Sequence, residues 1–85
     1  AYIVEQRAAA LYDIVERIMT TTRHDELHHF CAVTLAASRE PALTALLYRL
    51  AQTSPQRHIG NYIEALELLP GDEKNDAVAA LKRRL

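Results

Sequence analysis

A chain of 85 residues is long enough for one domain and too short for two. Its 49% hydrophobic and 25% charged content excludes a disordered polar chain, and a single core at this size is thin enough to gain from a partner. A net charge of −1 removes the electrostatic case for wrapping nucleic acid or an anionic membrane.

No segment shows the strict alternation of a strand, and two glycines and three prolines punctuate a run of amphipathic segments. The periodicity predicts a first helix over Tyr2 to Met19. Val4, Ala8, Leu11, Val15 and Ile18 form its apolar seam, widened by Ile3, Ala10 and Ile14. At the helical repeat this arc covers roughly 200°, well beyond the one-sided stripe of a surface helix. Glu5, Gln6, Asp13, Glu16 and Arg17 lie opposite. A helix this apolar either sits centrally or meets a partner.

The β-branched run Thr20-Thr21-Thr22 favours a break. Thr22 and Asp25 then form a capping-box-like start for a second helix over Arg23 to Ser38. Phe30 to Ala37 is apolar apart from Thr34, which predicts burial on nearly every side. Pro41 suits the first turn of a third helix, Pro41 to Gln52, with Leu43, Leu46, Leu47 and Leu50 on one face. Ser54-Pro55 supplies a capping serine and a proline at the first helical position of a fourth. Ile59, Tyr62, Ile63, Leu66 and Leu69 make its apolar face. Pro70-Gly71 ends it, and Asp72 caps a fifth helix through Val78, Leu81 and Leu85. Lys82, Arg83 and Arg84 fall in its last turn, where the helix dipole favours cations. Short connections fold such helices into hairpins. The expected fold is an all-α bundle of about five short helices stacked as hairpins, one domain over residues 1–85. Opening on Ala1 rather than methionine suits a trimmed chain or a domain of a longer protein.

The second and fourth helices begin 31 residues apart on these boundaries, as do the third and fifth, which suggests a helical repeat. Leu35 then matches Leu66, and Leu50 matches Leu81. Tyr62, Ala65 and Pro70 carry the spacing of the aromatic, alanine and proline of a tetratricopeptide second helix, and over that one helix the sequence resembles the family. Leu46 stands where the repeat's first helix needs a small residue. The resemblance implies stacked hairpins.

Arg23-His24-Asp25-Glu26-Leu27-His28-His29 holds three of the four histidines. His24 and His28 lie one helical turn apart, a spacing that lets two imidazoles converge on a metal, with His58 as the obvious third ligand. Glu26 lies one place too late for a zincin signature. The plain alternative is a solvated first turn, with Asp25 and Glu26 favoured by the dipole. No metal and no cofactor is expected on that reading. Clustered imidazoles would also repel one another when protonated, an effect the neighbouring acids blunt.

Arg23, the polar His24, four further residues and His29 resemble the Arg-polar-x4-His signature of HEPN ribonucleases. That resemblance implies an all-α, dimeric, metal-independent enzyme. Arg23 and His29 would act across the dimer interface on the scissile phosphate and the attacking 2′-hydroxyl. It covers seven residues, and three helices follow them, whereas the family carries its motif near its last long helix.

The third and fourth helices can also be read as a helix-turn-helix, with Gln56, Arg57 and Asn61 facing outward as base readers. Tyr48 fills the place of the usual small residue, and Glu64 and Glu67 would repel phosphate. Cys31, the only cysteine, lies in an apolar run and reads as a buried thiol, which fits a reducing, cytoplasmic compartment. The leading expectation is a non-enzymatic protein-interaction module: a regulator, adaptor or chaperone-like bundle. Its contact surface is Val4, Leu11, Ile14, Val15 and Ile18, facing a protein partner or a second copy rather than a membrane.

Overall fold

A computed structural model describes the backbone from Tyr2 to Leu85 and the side chains from Ala10 onward. The chain forms α1 (Tyr2–Thr21), α2 (Asp25–Ala37), α3 (Pro41–Gln52), α4 (Ile59–Glu67) and α5 (Asn75–Arg83), with a single 3-10 turn (Gln56–His58) ahead of α4. The described residues include no strand, so the all-α expectation holds.

α3 has the predicted bounds; other termini move for local reasons. α1 runs to Thr21 because the Thr20 and Thr21 hydroxyls donate back to the Glu16 and Arg17 carbonyls at 2.9 and 2.6 Å, closing the last turn. Thr22 does not cap α2. Its hydroxyl accepts the His24 N–H at 3.1 Å and so builds a turn, with His24 in the N-cap position. Ser54 does not cap α4 either. It is buried and donates to the Ala51 carbonyl at 3.1 Å, closing α3 instead. Pro55 is extended, and the chain makes its 3-10 turn before α4 begins. After α4 the Lys74 ammonium donates to the Glu67 carbonyl at 3.2 Å and to that of Leu69, satisfying groups the helix leaves open. Asp72 uses its carbonyl to accept the Asn75 N–H at 3.0 Å, so α5 starts later than predicted.

Leu35, Leu46, Leu47, Ile59 and Leu66 are the largest apolar side chains that are fully buried. Each contributes about 1.5–3 kcal/mol by leaving water. Every helix packs on the next and the next but one: α1 on α2 and α3, α2 on α3 and α4, α3 on α4 and α5, α4 on α5. α1, α3 and α5 therefore form one layer and α2 and α4 the other. The resulting slab measures 41 × 31 × 18 Å, two helices thick.

Later starts for α4 and α5 change the register. Asp25 to Ile59 and Pro41 to Asn75 are both steps of 34 residues, not 31. At this offset His28 matches Tyr62, Cys31 matches Ala65, Ala32 matches Leu66 and Leu35 matches Leu69, and all eight are buried. The correspondence fades along α5. Buried Leu46 and Leu50 are matched by exposed Ala80 and Arg84, the exchange that suits a helix with nothing stacked beyond it.

Candidate interaction surface

Four of the six large apolar side chains left exposed among the described residues, Leu11, Ile14, Leu27 and Phe30, lie on α1 and α2. Of the seam expected on α1, Val15 and Ile18 turn partly inward and pack on the core, beside Tyr12 and buried Met19. Leu11 and Ile14 stay 49% and 57% exposed. Val4 lies outside the described side chains. α1 is tied down by Arg49 of α3, which donates to the Tyr12 hydroxyl at 2.8 Å and pairs with Glu16 at 3.0 Å.

α2 corrects an expectation. It is not buried all round: His28, Cys31, Ala32, Leu35 and Ala36 face inward, while Phe30 is 68% exposed and Leu27 43%. Thr34 and Ala37 are also exposed. At 100° per residue, Leu27, Phe30, Thr34 and Ala37 fall within an arc of roughly 80°, a narrow outward stripe. A helix with an apolar outer stripe and one buried on all sides share the same sequence pattern, which is why periodicity alone missed Phe30.

Behind this face lies the histidine cluster. The His28 and His58 rings stack 3.8 Å apart and 6° from parallel. Asn61 donates one amide hydrogen to Asp25 Oδ1 at 3.0 Å and the other to His28 Nδ1 at 3.1 Å. Nδ1 is thus an acceptor, so Nε2 carries the proton and donates to the Tyr62 hydroxyl at 3.1 Å. Among the described residues neither ring nitrogen of His58 has a hydrogen-bond partner; Asp25 Oδ1 stands 3.8 Å from its Nδ1. Burial and then the adjacent His58 lower the His28 pKa to about 4, against a weaker pull from Asp25. Burial and the Arg57 cation lower that of His58 as well. Tyr62 is pushed up to about 12 by burial and then by Cys31, whose own thiol burial also raises. All four groups are neutral at neutral pH. All four residues are buried, none more than 8% exposed. The partners of His28, Tyr62 and Asn61, lie 34 and 33 residues along the chain, and no local spacing links them to it.

The other expected sites come out as follows. His24 is exposed ahead of α2, and the His28 nitrogens are engaged by Asn61 and Tyr62, so His24, His28 and His58 do not converge. No group of three His, Cys, Asp or Glu side chains among the described residues is arranged to hold a metal ion. Arg23 is exposed in the α1–α2 connector, while His29 turns to α4 and pairs with Glu64 at 2.5 Å. Among the described residues no hydrogen bond or ion pair joins Arg23 to His29. In the helix-turn-helix reading, Gln56 and Arg57 are exposed, but Asn61 is turned inward onto His28 and Asp25. Most of α4 is buried against α2 and α5 rather than presented to solvent. No helix among the described residues is long and apolar enough to cross a membrane. Compared with protein-family models, curated proteins and solved structures, the chain has no match.

Proposed function

We propose that this chain is a non-enzymatic helical protein-interaction module, a regulator or adaptor, whose contact surface is the outer side of α1 and α2. The observation that carries this reading is the exposure of Leu11, Ile14, Leu27 and Phe30 on two adjacent helices. The buried titratable cluster among the described residues, by contrast, is packed into the core. Covering four large apolar side chains that are each about half exposed returns on the order of several kcal/mol, enough to offset part of the cost of association. A reducing, cytoplasmic setting belongs to the same proposal and rests on the free, buried Cys31.

The test is Ile14→Glu with Phe30→Glu, two changes at exposed positions that leave the core intact. Light scattering and a pull-down are run on both proteins. The expected result is association by the wild-type chain, with itself or another protein, and its loss in the variant at an unchanged melting temperature. A wild-type chain that stays monomeric and captures nothing, or a variant that associates as well as wild type, overturns the proposal.

A further inference from the structure

We infer that the α1–α2 face is covered by a second copy of this chain, with the two α2 helices packed antiparallel about a two-fold axis at the level of residue 32. The inference rests on the reading of that face as the contact surface and names its partner.

The first argument is the difference between the two ends of the stack. Exposed residues of α5 are Asn75, Asp76, Ala79, Ala80, Lys82 and Arg83, small or charged. The exposed leucine at that end, Leu85, adjoins charged Arg84; exposed Leu68, at the close of α4, lies instead beside His29 and Val33 of α2. Repeat arrays keep a polar face at a free end because no neighbour covers it. The α2 end does the reverse. On α4, Asn61 and Glu64 reach back to α2 and are partnered there. The residues 34 positions earlier on α2 are Leu27 and Phe30, apolar and uncovered. A head-to-tail contact would set this apolar end on the polar α5 end. A face-to-face contact sets it on itself, which is the geometry of a closed two-fold dimer.

The second argument is the stripe itself. In antiparallel register about residue 32, Phe30 lies opposite Thr34 of the second copy, and Leu27 lies opposite its Ala37. Each large side chain meets a small one, and both pairs occur twice. A parallel pairing would set Phe30 on Phe30 and leave Thr34 facing Thr34. Charge agrees with the antiparallel choice. Asp25 is turned to α4, where Asn61 holds it, but exposed Glu26 lies beside the stripe in the first turn of α2, and exposed Arg39 follows its last. Antiparallel packing brings Glu26 of each helix close to Arg39 of the other, and it also opposes the helix dipoles. Leu11 and Ile14 flank the contact from α1.

The test measures dimer dissociation by analytical ultracentrifugation for wild type, Phe30→Glu, Phe30→Thr, and the exchange Phe30→Thr with Thr34→Phe. Both positions are exposed, so folding is preserved and is checked by melting temperature. The expected result is a wild-type dimer abolished by Phe30→Glu, weakened at least about tenfold by Phe30→Thr, and restored to within about threefold by the exchange. A monomer at every concentration overturns the inference. If that monomer still binds another protein and loses it on Phe30→Glu, the contact surface stands and only the second copy falls. A dimer unmoved by Phe30→Glu overturns both. A dimer lost on Phe30→Glu and not rescued by the exchange overturns the antiparallel pairing.

Discussion

His58 is held by its faces rather than its nitrogens. One face stacks on His28, and neither nitrogen is hydrogen-bonded. A buried polar atom without a partner costs about 1–3 kcal/mol, so His58→Phe, which keeps the stack and removes both nitrogens, should raise stability by about 1 kcal/mol in urea unfolding. His28→Phe should act in the opposite sense by a similar amount, because it leaves the Asn61 amide and the Tyr62 hydroxyl without their partner. His28 also sets a pH dependence. Its pKa is lowered from 6.5 to about 4 on folding, so between those values the unfolded chain takes up a proton that the folded chain refuses. Stability from this group is complete above pH 6.5, falls as the pH drops toward 4, and levels off below. The full loss is on the order of 3 kcal/mol, since each tenfold difference in proton affinity is worth about 1.4 kcal/mol. Melting curves from pH 7 to 4 check it, and the His28→Phe variant should lose much of the slope. Arg39 contributes a different strain. It sits at φ 58°, a region where a side chain crowds the following carbonyl. Arg39→Gly should stabilise the α2–α3 turn by up to about 1 kcal/mol, read as a higher denaturant midpoint.

The helices separate what was legible in the sequence from what was not. α3 was legible to the residue because its signals agree: Pro41 opens it, and Leu43, Leu46, Leu47 and Leu50 all turn inward. α4 was misplaced at its start because Ser54-Pro55 fits two structures equally well at the level of local chemistry. The Ser54 hydroxyl can accept from a following helix or donate to a preceding one, and tertiary burial beside Ala51 selects the second. That error of a few residues hid the 34-residue register. In α2 the apolar content does not measure depth, and only packing tells which side of such a helix is left over. A pair of substitutions makes the distinction measurable. Phe30→Ala, although it removes the larger side chain, should change monomer stability by no more than about 0.5 kcal/mol, while Leu47→Ala should cost about 2–5 kcal/mol because Leu47 is fully enclosed. Urea denaturation at low protein concentration measures both. Equal losses would place Phe30 in the core and remove the contact surface.

A stack in which each helix touches only its two nearest neighbours on either side has no single deep centre. The radius of gyration, 12.6 Å, slightly exceeds the about 12 Å of a more rounded chain of this length, as a slab two helices thick requires. Stability in such a stack is a sum of neighbour contacts, so an end helix is held less firmly than a middle one. α1 is the extreme case. It packs on α2 and α3, and among its described side chains only Met19 is fully buried. α5 is also an end helix but is clasped, since Arg84 beyond it donates to the Ala51 and Ser54 carbonyls at 3.3 and 2.6 Å. Amide hydrogen exchange should therefore show α1 opening at a lower free energy than α2 and α4, with α5 between them. Dilution adds the decisive comparison. A second copy stabilises whatever it covers by mass action, so lowering the protein concentration through the dissociation range should release the α1 amides and the outer amides of α2. The amides of α4 and α5 should remain protected to the same degree. Exchange in α1 that is independent of concentration would mean that the exposed face of the hairpin is bare in solution. Uniform loss of protection across all five helices would mean instead that the isolated chain folds only as a dimer.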